Sequence, residues 1–222
     1  DPRGTELKMK DALTIHRALL EREIQHEIVR LPIAISRSGE LPGALGLPSE
    51  RCLATRVFAC NDVYRSRRFL TAAIVPAGSE PSAEAARLAV SARLIRPARA
   101  DLINTVTEYA ADLVCPLLLP DSVRVLIDRT LVESLPVDDV VYTATGEPST
   151  ALGIRALDLF ALSRAEPVHL CDWSAPHASA VPLASMPSVP SGTPAPSSGR
   201  TGRSRPGTAL IPPDGPAQSA EN

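Results

Sequence analysis

Side chains able to do chemistry are sparse in this chain, and their spacing narrows what they can do. His169, Cys171 and His177 stand close together and carry metal-ligand atoms, but their interval matches no standard zinc pattern. They read instead as a strand-end histidine, a buried thiol and a histidine beyond the folded part. Cys115 directly precedes Pro116, which invites comparison with a nucleophile. A thiol attacks as its thiolate and needs a base to form it. With no histidine near it in sequence, Cys115 reads as a small buried hydrophobe. Arg65, Arg67 and Arg68, flanked by Tyr64 and Phe69, form the one dense basic-aromatic patch. Such a patch either grips the phosphates of an acceptor stem or keeps a hairpin tip solvated and unpaired. His16 and His26 bracket the first helix and its turn and are given no chemical role.

The signatures of common enzyme classes do not occur: there is no GxSxG, P-loop, HExxH or GxGxxG, so the usual nucleophilic, phosphate-cradling, zinc and dinucleotide readings fail. A net charge of −2 and a pI of about 6.1 remove the whole-chain basic signal of a nucleic-acid coat or an anionic-membrane binder, so any nucleic-acid contact must be local. Of the 23 basic residues only Lys8 and Lys10 are lysines; every later cation is arginine. The four cysteines form no CxxC pair and nothing at the N-terminus reads as an apolar leader, which points to a reduced, cytoplasmic chain. The longest apolar run, residues 113–119, contains a proline and falls far short of the roughly 20 residues that cross a bilayer. No membrane contact, metal or cofactor is expected.

Periodicity supplies the elements that must position these groups. Helices are expected over residues 7–23, 41–47, 82–90, 100–108 and 156–162. Strands are expected over residues 26–31, 53–60, 69–75, 123–127, 140–144 and 168–171, with Asn61-Asp62 as a hairpin turn. Short helices dispersed among hairpin-paired strands imply an α+β fold, a single domain with a mixed, curved sheet flanked by short helices. All seven aromatic residues lie between Phe58 and Trp173, so residues 1–173 form the folded domain. Residues 174–222 hold ten prolines, nine serines and five glycines, a composition that cannot bury enough apolar area to fold, and are expected to be a disordered tail.

Several short runs occur in a known order: Gly46-Leu47-Pro48, Thr55, Ala73-Ile74-Val75-Pro76, the helix near residues 85–90, Thr107-Glu108-Tyr109, Pro116, Val125-Leu126-Ile127-Asp128, Val141-Tyr142, Gly146 and Asp158-Leu159. With them, residues 13–170 resemble the YbaK-type prolyl-tRNA editing domain family, which comprises free-standing aminoacyl-tRNA deacylases and the related domain inserted in some prolyl-tRNA synthetases. The resemblance implies a cleft that receives the aminoacylated 3′ end of a mischarged tRNA and hydrolyses its ester, in the service of translation fidelity. It also implies tRNA as partner, with prolyl-tRNA synthetase as a further one. Hydrolysis of this kind needs a pocket, donors for the developing oxyanion and a cation for the terminal phosphate; a positioned water can replace a side-chain nucleophile.

Where the family's strand carries a lysine before the threonine, this chain has Ala54 before Thr55. Arg56 shares a strand face with Ala54 and has a stem long enough to reach a phosphate in its place, so a lysine restored at position 54 is expected to substitute for it. The family's Gly-x-x-x-Pro loop reads Asp112-Leu113-Val114-Cys115-Pro116 here, which gives up glycine's access to positive φ and adds a carboxylate. By resemblance, Arg56, Asp112 and Pro116 are the catalytic candidates. Ala54, Thr55, Leu113, Val114, Cys115 and Gly146 are the substrate-binding ones. The alternative is a module of the same fold that binds tRNA or an aminoacylated ligand without turnover.

Overall fold

The computed structural model describes residues 9–62 and 67–171. The expected tail, Tyr64, Arg65 and His177 lie outside these residues. Among the described residues, no helix is long and apolar enough to cross a membrane.

Helix α1 (Ala12–Leu20) starts where the Asp11 carboxylate accepts the Thr14 N–H at 2.7 Å, and it buries Ile15 and Leu19. That cap sets the helix start later than residue 7, since a side-chain oxygen at the N-cap satisfies an amide the helix cannot. Strand β1 (His26–Arg30) follows, then a 3-10 turn (Ser38–Glu40) that runs into α2 (Leu41–Leu45). Pro42 sits in the first turn of α2, where its missing N–H costs nothing. Gly46 ends α2 at φ +66°, a left-handed cap that glycine adopts freely.

The long strand β2 (Cys52–Asp62) pairs antiparallel with β3 (Arg68–Pro76). Asn61 and Asp62 extend the strand instead of turning: Asn61 lies opposite Arg68, and the Asp62 N–H donates to the Arg67 carbonyl at 2.9 Å. Then come α3 (Ala83–Ala89), β4 (Ala92–Pro97), α4 (Ala100–Thr107), β5 (Arg124–Asp128), α5 (Arg129–Ser134), β6 (Val140–Ala144), β7 (Thr150–Arg155), α6 (Ala156–Ser163) and β8 (Glu166–Val168). Sheet order is β1-β7-β6-β2-β3-β5-β8, with β4 also on β2. One edge of β2 serves two partners, β6 in parallel at Cys52–Leu53 and β4 antiparallel beyond Phe58. The fold is α+β with a mixed sheet of eight strands.

Alternation along β2 divides the core. Leu53 and Val57 join Ile15, Leu19, Ile103, Val114, Ile127 and Leu159 on one face. Ala54, Phe58 and Cys60 join Ala73, Val75, Ala86 and Val90 on the other.

Elements β4, β7 and α5 were not expected. Strand β4 is largely exposed and so carries no apolar alternation. In β7, Gly153 breaks the β-pattern because a Cβ there would lie 2.7 Å from Glu27 Cγ and 2.8 Å from Tyr142 Cε1. Helix α5 is too short to show a stripe and owes its start to the Asp128 cap, which accepts the Thr130 N–H at 3.0 Å.

Candidate functional site

Strand β2 carries Arg56 at its middle, on the face of Ala54 and Phe58. The Arg56 side chain is 24% exposed, and its Nη2 donates to Glu80 Oε1 at 2.9 Å. Its Nε is buried without a hydrogen-bond acceptor. Over it lies the Ser38–Glu40 turn: a Cβ on Gly39 would be 4.0 Å from Arg56 Nη2 and 3.8 Å from the Gly78 nitrogen. The turn backbone at position 39 therefore lies over the guanidinium, with room for no more than a small side chain between them. Glu80 is 79% exposed, so its hold on Arg56 is a solvent-facing pair of small worth. A guanidinium whose outer nitrogens are held by one exchangeable, exposed carboxylate is suited to an anion.

Asp112 approaches the same turn from the loop after α4. It is exposed, and its carbonyl accepts the Ser38 N–H at 2.9 Å. Neighbouring residues of one turn thus touch Arg56 and Asp112. The other loop residues point into the protein. Leu113 packs with Leu41 and Cys52, while Val114 and Cys115 sit in the main core. Pro116 is buried and lines a cavity of about 430 Å³ with Arg22, Arg124 and Arg164. Thr55 faces the main core with its Oγ1 buried and unpartnered. Ala54 is wholly enclosed, because alanine at this position lets the face close over the strand. These residues support the surface from beneath.

Gly146 has φ +94°, and a Cβ on it would lie 2.5 Å from the Lys10 carbonyl oxygen and 2.9 Å from Tyr109 Cδ1. Its neighbours are thus the N-terminal segment and Tyr109. Gly146→Ala is expected to cost roughly 2–3 kcal/mol in urea denaturation, since strain and clash act together. An unchanged midpoint would mean that the segment around Lys10 yields without loss.

Lys10 is a feature the sequence reading passed over. Its Nζ donates to the carbonyls of Thr107 (3.0 Å) and Leu118 (2.8 Å) and pairs with Glu108 at 3.2 Å, 5.3 Å above the Tyr109 ring. It caps the end of α4 and fixes the loop that carries Asp112. The Ser38–Glu40 turn and Glu80 were also missed; the only signal for them is the pair of glycines at positions 39 and 78.

Burial pushes the Cys52 and Cys60 thiols up to about 11, and Cys115 up to about 12. Burial, with the Asp128 carboxylate nearby, also raises Cys171 to about 12. A neutral, enclosed Cys115 is no nucleophile. Because these folded-state values exceed the ordinary thiol value of 9.0, the stability they contribute is complete below pH 9 and is lost as pH rises towards 11–12. Cys52, Cys60 and Cys115 are expected to resist a thiol reagent at pH 7.5 until the protein is unfolded; rapid labelling of the native chain would contradict their burial.

The two histidines set aside above meet each other. His16 Nδ1 and His26 Nε2 are 2.8 Å apart, and His26 Nδ1 lies 2.7 Å from the Ile24 carbonyl. The carbonyl can only accept, so His26 Nδ1 donates to it, and the direction of the His16–His26 bond follows the protonation of the pair. Among the described residues no three histidine, cysteine or carboxylate side chains gather as a metal site.

No model of a known protein family and no curated protein sequence matches this chain. Solved structures do. A hypothetical protein of known crystal structure superposes with TM-score 0.60 at 17% identity, covering 71% of this chain and 99% of that one. A scaffold protein from computational epitope grafting does so with TM-score 0.57 at 19% identity, covering 71% and 94%. A proposed trans-editing enzyme for prolyl-tRNA synthetase also gives TM-score 0.57, at 21% identity, covering 71% and 94%. At such identities the likeness is one of fold, and the chain shares the α+β fold of that trans-editing protein.

Proposed function

We propose that this chain is a trans-acting aminoacyl-tRNA deacylase of the prolyl-tRNA editing type, with residues 1–173 as the editing domain and residues 174–222 as a tail, working in the cytoplasm where tRNA is charged. The reading rests on Arg56, a half-enclosed cation held, among the described residues, only by the exposed Glu80, beneath a turn that meets Asp112 one residue away. The likeness in fold to a proposed trans-editing protein supports it.

In this reading Arg56 holds the phosphate of the terminal nucleotide, displacing Glu80, and so fixes the ester beside the turn. A water oxygen bonds to the ester carbon as the carbon's bond to the ribose oxygen breaks. The water proton passes by way of the exposed Asp112 carboxylate to that ribose oxygen. The products are the free amino acid and a tRNA with its terminal hydroxyl restored. No cofactor enters, and prolyl-tRNA synthetase is the expected source of the mischarged substrate.

Incubating the purified chain with a panel of mischarged tRNAs tests this directly: release of amino acid faster than in buffer is expected for at least one of them. A second reading, a module that binds tRNA without hydrolysis, is favoured by one observation. Ala54 is enclosed where the family has its lysine, and Lys10, the one lysine among the described residues, is already held by two carbonyls and Glu108. Tight binding of tRNA with no release across the panel would select that reading.

A further inference from the structure

The far end of the β2–β3 hairpin carries a second cationic feature, on the sheet face opposite Arg56. Arg68 of β3 lies across from Asn61, and Arg96 of β4 lies across from Ala59. Directly opposed residues share a face, and so do Ala59 and Asn61, two apart on β2. Both arginines therefore project to the same side, one from each strand flanking β2. Strand spacing puts their Cα atoms on the order of 12 Å apart. Arg67 joins them from the hairpin end. All three are exposed, and among the described residues none of their side chains has an ion-pair or hydrogen-bond partner.

These arginines line a cleft of about 250 Å³ whose floor is apolar: Leu70, Val123 and the α4 residues Leu102 and Val106. Leu102 and Val106, four apart, present one helix face, and Leu102 is 40% exposed. No aspartate or glutamate lines the cleft. Six other surface arginines, Arg37, Arg87, Arg99, Arg124, Arg155 and Arg164, each have a carboxylate. Among the described residues Arg17, Arg22, Arg30, Arg93 and Arg129 have none, so what distinguishes Arg67, Arg68 and Arg96 is that three such cations share one cleft. Arginines left without counter-charge over an apolar floor match an extended polyanion that also offers flat apolar groups. The cleft is smaller than a typical small-ligand pocket of roughly 300–1,000 Å³, so it suits one base of a strand whose phosphates run on past it.

We propose that the Arg67, Arg68 and Arg96 cleft is a docking site for the phosphate backbone of a nucleic-acid strand, seating one base over Leu102 and Val106. That the strand is tRNA rests on the deacylase reading; the preference of the cleft for a phosphate backbone does not.

Fluorescence anisotropy of labelled, uncharged tRNA with the full chain, at salt from about 50 to 200 mM, tests the site without calling on hydrolysis. The double variant Arg68→Gln/Arg96→Gln is expected to bind about tenfold more weakly and to reduce the slope of log affinity against log salt by about 2, one for each lost phosphate contact. Both side chains are exposed, so its melting temperature should match the wild type. Should the double variant prove unfolded, Arg96→Gln alone decides, with an expected slope change of about 1. The remote pair Arg22→Gln/Arg164→Gln is expected to leave affinity and slope unaltered. The proposal is overturned if the cleft variants bind with wild-type affinity and slope, if the wild type binds no tRNA at 50 mM salt, or if polyglutamate competes as well as RNA of equal charge. Binding that depends on the cleft without any deacylation would remove the enzyme reading and leave the docking site standing. Deacylation by the wild type together with wild-type affinity and slope in the cleft variants would do the reverse.

Discussion

Replacing Asp128 by alanine is expected to lower the unfolding free energy by roughly 3–5 kcal/mol, the largest stability loss of any single polar substitution in this fold. Asp128 ends β5 and is fully buried. Its Oδ1 accepts the Thr130 N–H at 3.0 Å and starts α5. Its Oδ2 accepts the N–H groups of Leu170 at 2.8 Å and Cys171 at 2.7 Å, tying the chain beyond β8 back to the sheet. Truncation to alanine removes a carboxylate that several buried or half-buried amides share and leaves those donors without an acceptor in a place water reaches poorly. Asp128→Asn keeps the shape but only one accepting oxygen, so it should fall between alanine and wild type. Urea denaturation followed by circular dichroism reads both variants. A loss under about 1 kcal/mol for alanine would mean that the amides find other acceptors after a small shift.

The role of Asp128 shows what kind of information the sequence carries and what kind it does not. The run Val125-Leu126-Ile127-Asp128 marks a buried strand by its apolar residues, but nothing local says that its last carboxylate reaches residues more than forty positions away. Strands β2, β5 and β6 were legible because burial on both sheet faces selects short, nearly unbroken runs of apolar and β-branched side chains. Strand β4 was not, since its arginines answer to solvent and to whatever docks there. The same division holds at the candidate site. That Arg56 and Ala54 share a face follows from alternation alone. That Gly39 roofs Arg56, that Glu80 occupies its Nη2, and that Ser38 meets Asp112 depends on loops brought together by the fold. Lys10 stands near the start of the sequence, yet packing carries it to the end of α4, where carbonyls left over by the helix need a donor.

Removing the Arg56 guanidinium should slow deacylation of a mischarged tRNA by roughly thirty-fold or more, equivalent to at least about 2 kcal/mol of transition-state stabilisation. The fold should hardly notice, because an ion pair with a partner as exposed as Glu80 contributes under about 1 kcal/mol. A large fall in rate beside an unchanged melting temperature would separate a role in the site from a role in packing. Arg56→Lys keeps the charge but loses the fork of donors, and should recover only part of the rate. The resemblance suggested that a lysine at position 54 could take over from Arg56, and the packing argues against it. Ala54 is wholly enclosed in the cluster with Phe58, Val75 and Ala86, so a lysine there must either bury its ammonium, at a cost of several kcal/mol, or force the cluster open. Ala54→Lys is therefore expected to lower the melting temperature and to leave Arg56→Ala unrescued. If Arg56→Ala hydrolyses at the wild-type rate, Arg56 has no part in the reaction, and the cation that holds the substrate must be sought among the arginines of the hairpin cleft.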